Sequence, residues 1–265
     1  IVKSILIDKS FSNEFSIAAV NSINWSRVMA QIIYYFYSLI KNDISEKDLI
    51  NFSVPTGNFG DIYAGYVAIK MGLPANKLVI ATNENDILDR FIKSGNYSIN
   101  EVAKTSSPSM DIAIASNFER LLFELNNKST EKTSKYMDEL RTNNGFDVSE
   151  DQVNLVKKLF ASKRINQDEV ESLIKNTYDE FNYVIDPHTA IGLGASREIN
   201  NEDEYNFILG TAHPLKFSKT VEKAIEKNIY SSDKTNGDFK EEEKFFSFEN
   251  SESKVREIIK NNVNK

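Results

Sequence analysis

The sequence predicts an α/β fold built on a parallel sheet, and three consecutive segments carry this prediction. Residues 49–54 form a short apolar run before Pro55, and the residue before a proline favours an extended backbone, so the run predicts a buried strand. Residues 62–71 place apolar side chains at helical spacing and end at Gly72-Leu73-Pro74, which is typical of a helix end. Residues 78–82 form a second apolar run. Together the three segments predict two parallel strands joined by a right-handed helical crossover.

Further elements are predicted on either side of this unit. Residues 26–40 repeat apolar side chains at three- and four-residue spacing, which is typical of a helix packed on a core. Residues 128–141 and 151–178 are charge-rich and carry helical patterns. Residues 207–211 form a short apolar strand that leads into Ala212-His213-Pro214.

These changes in texture divide the chain into four parts. They are an α/β region (1–126), a charged helical insertion (127–183), a return to the α/β region (184–230) and a polar C-terminal tail (231–265). Lys, Glu and Asn dominate the tail, so we expect most of it to be solvated.

Composition restricts the possible partners. The 265 residues carry 32 Lys plus Arg against 39 Asp plus Glu, a net charge of −7, which disfavours a nucleic-acid-binding or anionic-membrane surface. Cysteine is absent and there are two histidines, so disulfides and thiolate zinc sites are excluded and no metal site is predicted. The longest apolar stretch, residues 28–40, is shorter than the roughly 18 residues of a membrane-spanning helix. Because the lack of cysteine fits a reducing compartment, we predict a cytoplasmic protein.

The segment Pro55-Thr56-Gly57-Asn58-Phe59-Gly60-Asp61 lies between a predicted strand and a predicted helix. Its two glycines let a ligand approach the backbone, and the helix start directs free N–H groups and a positive dipole end to the same point. Such a place attracts phosphate, but the geometry fits an ordinary tight turn, with Asp61 as a helix cap, equally well. The segment matches neither the three-glycine dinucleotide motif nor the P-loop.

A second polar cluster stands at the start of the helix predicted at 26–40 and consists of Asn21, Ser22, Asn24 and Arg27. The planar fork of an arginine suits phosphate oxygens, and the helix start adds N–H donors. Taken alone, the cluster fits a capped helix with a surface arginine better than a phosphate site.

Several other conspicuous residues are expected to have structural roles. The two histidines flank prolines in turns, and we expect them to be structural or to support site residues from behind: His188 and His213. Three polar residues fit either the lining of a site or a turn around Pro108: Ser107, Ser109 and Asp111. Packing in the core or at the rim is expected for Met29, Met71, Tyr34, Tyr35 and Tyr37.

The glycine loop is one of seven segments that occur in the same order in a known family. They are residues 21–27, 54–66, 71–74, 81–87, 107–112 with 116–120, 186–190 and 211–214. Over residues 16–220 the chain therefore resembles threonine synthase, a pyridoxal-phosphate (PLP) enzyme of the tryptophan-synthase-β-like fold. The resemblance implies part of PLP fold type II, a three-layer arrangement of a parallel sheet with helices, here with the charged helical insertion added.

The resemblance also implies a role for each site residue. The cofactor phosphate would be held, mainly through backbone N–H groups, by Gly57, Asn58, Phe59, Gly60 and Asp61. The hydroxyl of Thr211 would meet the pyridine nitrogen of PLP and leave it largely neutral. The phosphate of a small-molecule substrate would be bound by Asn21, Ser22, Asn24 and Arg27.

For the intact protein the resemblance implies conversion of O-phosphohomoserine and water to L-threonine and phosphate. The Schiff-base lysine of the family stands upstream of the first matching segment, and the only Phe-Lys pair of this chain, Phe239-Lys240, lies in an acidic run. The chain begins without methionine, so we expect a C-terminal fragment that lacks the N-terminal part of the protein and has no catalytic residue of its own. The alternatives are a threonine-synthase-like phospho-lyase acting on the same substrate and a non-catalytic phosphate-binding remnant.

Overall fold

The computed structural model describes residues 1–18, 21–45, 48–199, 201, 203–230, 245 and 247–263. Its six described strands are β1 (Ile50–Pro55), β2 (Lys77–Thr82), β3 (Asn96–Ser98), β4 (Gly145–Asp147), β5 (Phe160–Arg164) and β6 (Tyr205–Ile208). Four of them form one sheet in the order β5-β2-β1-β6, and every pairing in it is parallel. The other two, β3 and β4, form an antiparallel pair.

The described helices surround these strands. They are α1 (Val2–Ile7), α2 (Lys9–Glu14), α3 (Trp25–Lys41), α4 (Gly60–Lys70), α5 (Ile87–Ser94), α6 (Phe118–Leu125), α7 (Thr130–Asn143), α8 (Glu150–Lys157), α9 (Gln167–Phe181), α10 (Pro187–Ile199), α11 (Ser218–Ile225) and α12 (Glu252–Asn262). Short 3₁₀ turns cover Pro108–Met110 and Pro214–Phe217. The predicted strand-helix-strand unit is confirmed as β1-α4-β2, and the helix predicted at 26–40 is confirmed as α3.

Helices cover both faces of the sheet. Successive side chains of a strand point to opposite faces, so one strand can contribute side chains to both layers of packing. On one face, Phe52 of β1 and Ile80 of β2 pack into a large apolar core with α3 to α6. On the other face, Val79 and Ala81 of β2 pack with residues of α9, α10 and α11. The predicted three-layer α/β arrangement is therefore confirmed.

The helical pattern predicted at 151–178 is wrong in its middle. Residues Phe160–Arg164 form β5, which pairs in parallel with β2 and is an edge strand of the central sheet. The segment is only five residues long and partly exposed, and it ends in two charged residues. Its sequence therefore does not differ clearly from the helical pattern on either side. The predicted insertion at 127–183 thus contributes a strand to the α/β region and is not wholly helical.

The two ends of the described chain pack together. Val255 and Ile259 of α12 contact a small apolar cluster formed by Ile5, Phe11 and Phe15. The tail predicted as solvated therefore contains a packed helix, while residues 231–244, with Phe239-Lys240, lie outside the described residues. Within the described ranges no helix is both long enough and apolar enough to cross a membrane.

Candidate functional site

A cleft of about 880 Å³ opens at the carboxyl ends of β1 and β6. Its walls are formed by the loop after β1, the start of α3 and the segment after β6. In open parallel sheets, ligands bind in such crevices at the carboxyl ends of strands, and this volume suits a small molecule. The residues predicted to bind phosphate and those predicted to bind a cofactor ring meet in this one cleft: Asn21, Ser22, Arg27, Gly57, Asn58, Phe59, Gly60, Asp61 and Thr211.

The loop after β1 holds an unusual backbone conformation. Phe59 has a φ of 62°, in the left-handed region that non-glycine residues seldom adopt, and it forms the N-cap of α4. Its side chain is fully buried against Phe118 and Phe160, which fixes the strained residue in place. The aromatic ring thus anchors the loop in the core, while the backbone of the loop and of the first turn of α4 lines the cleft.

The two glycines of the loop differ in the space around them. A Cβ atom on Gly57 would lie 2.6 Å from the carbonyl oxygen of Ser109, so only glycine allows the Pro108–Met110 turn to pack against the loop. A Cβ on Gly60 would meet atoms of Asn117, Ser22 and Gln31 at ordinary distances of 3.4 to 3.7 Å. Packing therefore explains Gly57, whereas at Gly60 an added Cβ atom would make only ordinary contacts with its neighbours.

Residues 116–117 hold the loop after β1 in place through hydrogen bonds to Asn58. Asn117 is fully buried, and both its backbone nitrogen and its Nδ2 donate to the carbonyl oxygen of Asn58, at 3.0 and 2.9 Å. Ser116 Oγ donates to Asn58 Oδ1 at 3.0 Å. These bonds hold the loop with its polar backbone towards the cleft.

The same residues also fix the start of α3. Asn117 Nδ2 donates to the carbonyl oxygen of Ser22 at 2.8 Å, and Arg120 donates to that of Ile23 at 2.9 Å. Asn24, predicted as a substrate contact, instead caps α3, because its Oδ1 accepts from the backbone nitrogen of Ser26 at 2.8 Å. It does not line the cleft, whereas Arg27 is exposed there.

Thr211 lies in the same cleft as the loop after β1, on the segment that follows β6. Thr211 is exposed and follows β6, which spans Tyr205–Ile208, so the strand predicted at 207–211 begins two residues earlier and ends three residues earlier than expected. β6 pairs with β1 through registers such as Phe52↔Phe207, and this pairing brings Thr211 to the cleft that the β1 loop lines.

The alternative interpretation of this residue, in which Asp61 caps the helix of an ordinary tight turn, is wrong because Asp61 does not cap α4. Burial raises the pKa of its carboxyl group to about 6, although a hydrogen bond from the Tyr35 hydroxyl at 3.3 Å acts in the opposite direction. The same hydroxyl donates to the backbone carbonyl of Asp61 at 2.8 Å. A carboxyl group that protonates easily opposes a bound anion less than an ordinary aspartate does.

Most of the polar residues around Pro108 hold the turn that packs on the loop after β1 and do not line the cleft. Asn83 Nδ2 donates to Thr105, Ser107 and Asp111, at 2.9, 3.0 and 2.9 Å, in a largely buried network. Ser107 and Asp111 thus hold the 3₁₀ turn that packs on Gly57, while Ser109 lines the cleft.

Sequence reasoning did not assign several residues that line the cleft. They are Gln31, Tyr34, Tyr37, His188, Lys216 and Phe217. Tyr34 and Tyr37 therefore lie at the site rather than only in packing, whereas Met29 and Met71 are exposed instead of buried. The helical spacing of 27, 31, 34 and 38 on α3 could have indicated a polar face directed at a ligand. His213 has the expected structural role, since its Nδ1 accepts from the Leu215 backbone nitrogen at 3.2 Å.

Comparison with known proteins agrees with this geometry. A family model described as "Threonine synthase, C-terminal" matches residues 189–259. The chain is 45% identical over 244 residues to threonine synthase of Saccharomyces cerevisiae, and 42% identical over 224 residues to that of Pseudomonas aeruginosa. Over about 85% of its length the chain is therefore similar in sequence to threonine synthases.

Solved structures extend this relationship to the fold. A PLP-bound threonine synthase from Brucella melitensis matches with a TM-score of 0.92 and 39% identity, over all of this chain and 57% of that one. The yeast threonine synthase structure matches with a TM-score of 0.79 over 88% of this chain and 49% of that chain. The predicted fold type is thus confirmed. The matches to the yeast and Pseudomonas sequences cover 85% and 84% of this chain, which spans about half the length of those relatives, 48% in each case.

Proposed function

We propose that the protein that carries this chain converts O-phosphohomoserine and water to L-threonine and phosphate with PLP as cofactor. The observation that supports this most directly is the meeting of two anion-binding segments in one cleft: the loop after β1 and the start of α3. A reaction that uses a phosphorylated cofactor and releases phosphate from its substrate needs two such places side by side.

The loop after β1 suits the cofactor phosphate. Gly57 to Gly60 present backbone to the cleft at the start of α4, where unpaired N–H groups and the helix dipole favour a dianion. The left-handed backbone of Phe59 supports the same role, since successive N–H groups around such a residue can form a concavity that binds an anion. In this proposal Asp61 contributes its backbone, with its carboxyl group held by Tyr35.

Thr211 suits the ring of the cofactor. The residue is exposed in the cleft that the loop lines, where its hydroxyl group can hydrogen-bond a pyridine nitrogen without protonating it. When bound, PLP supplies an electron sink that acidifies the protons of an amino-acid substrate. A hydroxyl partner makes that sink milder than a carboxylate partner would.

The start of α3 suits the substrate phosphate. Arg27 offers a planar fork of donors, and Asn21 and Ser22 lie beside it on the cleft wall. Asn24 acts in this proposal as the cap that fixes the helix start rather than as a ligand. Lys216 is a second exposed cation that lines the cleft.

The Schiff-base lysine is the part of the active site that we do not assign to this chain. The prediction that it lies in an N-terminal part of the protein stays a prediction, as do the four-part division of the chain and the cytoplasmic location. If a lysine of these 265 residues bound PLP covalently, Lys216 would be the candidate, and borohydride reduction followed by peptide mapping would identify it.

Product analysis tests the proposed reaction. The complete protein made from its own gene is supplied with PLP and O-phosphohomoserine, and threonine, 2-oxobutyrate and phosphate are measured. Threonine with stoichiometric phosphate supports the proposal, whereas 2-oxobutyrate identifies a phospho-lyase and no product identifies a binding remnant.

Cofactor binding tests the site in this chain by itself. PLP affinity of the 265-residue chain is measured for the parent, Thr211→Ser and Thr211→Val. The serine variant keeps the hydroxyl group and should bind like the parent, while the valine variant should bind about three- to tenfold more weakly, as expected for one lost hydrogen bond. Equal binding by all three proteins would contradict the role given to Thr211.

A further inference from the structure

A buried histidine-aspartate pair reaches the wall of the cleft. His188 Nδ1 and Asp186 Oδ1 are 2.8 Å apart, and both side chains are at most 3% exposed. Burial raises the pKa of the Asp186 carboxyl group, but hydrogen bonds from His188 and Thr189 outweigh this effect and hold the pKa below its ordinary value. Asp186 is therefore a carboxylate that fixes a proton on Nδ1 of the imidazole ring.

The other ring nitrogen has no partner among the described residues. His188 Nε2 is buried, and none of the polar atoms in the described part of the chain lies within hydrogen-bonding distance of it. Buried polar atoms without a partner are rare in folded proteins, and each one calls for a ligand or water to satisfy it. Because Asp186 engages Nδ1, the neutral ring carries a lone pair on Nε2.

The surroundings of the ring link this nitrogen to the cleft. His188 lines the cleft together with Phe217, whose ring centroid lies 4.9 Å from that of the imidazole. The charged residues that line the same cleft are Arg27, Asp61 and Lys216, and none of them pairs with His188 among the described contacts. A molecule in the cleft can therefore supply the donor that Nε2 lacks among the described residues.

We propose that His188 is a ligand-binding residue whose Nε2 accepts a hydrogen bond from an N–H or O–H group of the molecule bound in the cleft, with Asp186 as its positioning residue. This inference rests on the proposed function for the identity of that molecule. Two sources supply the same chemistry, the ring hydroxyl group of PLP and the ammonium group of the amino-acid substrate.

Nitrogen NMR of the imidazoles tests the inference directly. The 265-residue chain contains two histidines, His188 and His213, so the uniformly ¹⁵N-labelled chain gives two sets of ring signals. In mildly alkaline buffer, His188 should show the Nδ1–H tautomer, whereas His213, whose Nδ1 accepts from Leu215, should show the Nε2–H tautomer. The unliganded spectrum thus identifies each ring and checks the pairing with Asp186.

Titration then separates the two sources of the donor. PLP alone, the phosphonate analogue of O-phosphohomoserine alone, and sulfate, an anion without donors, are added in turn. We expect the Nε2 signal of His188 to shift saturably with PLP or with the phosphonate, and to stay in place with sulfate. An unshifted signal at saturating PLP and phosphonate, or an equal shift with sulfate, would overturn the inference.

Paired substitutions provide a second readout. His188→Asn keeps an amide near the Nδ1 position for Asp186 but removes the Nε2 position, while His188→Gln places an amide near Nε2. We expect affinity for the shifting ligand to fall about three- to tenfold in the asparagine variant and to be partly restored in the glutamine variant. His213→Asn, outside the cleft, should bind like the parent. Thermal unfolding of all variants reveals any loss that is merely structural.

The outcomes distinguish the failure of this inference from the failure of the proposed function. Binding of PLP or the phosphonate without a response at Nε2, or equal affinities of the two His188 variants and the parent, overturns the inference alone. If neither molecule binds the complete protein, both the inference and the proposed function are overturned.

Discussion

Asn117 bonds the carbonyl oxygen of Asn58 twice, from its backbone nitrogen at 3.0 Å and from its side-chain Nδ2 at 2.9 Å. The same Nδ2 also reaches the carbonyl of Ser22. One buried amide thus sets the distance between the two segments proposed to bind the cofactor phosphate and the substrate phosphate.

Asn117→Asp should uncouple these two segments. The carboxylate cannot donate to either carbonyl, so we expect the free energy of unfolding to fall by about 1–3 kcal/mol and anion affinity of the folded chain to fall with it. Urea unfolding and sulfate titration measure the two effects. Asn126→Asp is a matched control, because Asn126 is buried and bonds Thr133 away from the cleft; it should lower stability and leave sulfate affinity unchanged.

The glycines of the loop should respond differently to alanine. Gly57→Ala drives a Cβ atom to 2.6 Å from the Ser109 carbonyl oxygen, so the melting temperature and PLP affinity should both fall. Gly60→Ala meets only ordinary contacts, so its melting temperature should stay near that of the parent while PLP affinity falls. A Gly60→Ala variant that binds PLP normally would show that a side chain at this position does not meet the bound ligand.

Asp61 should make stability depend on pH. Because the pKa of its carboxyl group is raised from 3.8 to about 6 in the folded chain, the folded state binds more protons than the unfolded state between these values. Its contribution to stability is therefore greatest below pH 4 and is lost as the pH rises through 6, by at most about 3 kcal/mol. Urea unfolding of the parent and of Asp61→Asn across this range isolates the effect. Parallel curves for the two proteins would contradict it.

Arg27 separates the two proposed anion sites. Arg27→Gln removes charged hydrogen bonds worth about 1.5–3 kcal/mol, so the affinity for the phosphonate analogue should fall about ten- to hundredfold. PLP affinity should change much less, since the loop after β1 is intact. Calorimetry with each molecule measures both, and Arg197→Gln, on an exposed face of α10, controls for the lost charge. Equal losses of affinity for PLP and for the phosphonate would contradict this prediction and indicate a single anion site.

The sequence alone determined the elements with strong local patterns. The β1-α4-β2 unit follows from two apolar runs and a glycine-proline stop, and α3 follows from its apolar stripe, because burial of periodic side chains needs no knowledge of distant contacts. The glycine loop was predicted for the same reason. Its strand-turn-helix context and its glycines are all local.

Only the tertiary structure decided how these pieces meet and which side chains act. β5 was not predicted because its apolar and polar side chains alternate only weakly and its partner β2 lies about 80 residues away in the chain. Asn24 caps α3 and His188 bonds Asp186 through local contacts, but only the folded chain brings His188 to the cleft and joins Asn117 to Ser22, 95 residues away. Such pairings depend on the parallel register of β1 with β6 and on burial of single polar groups, and no short stretch of sequence encodes either.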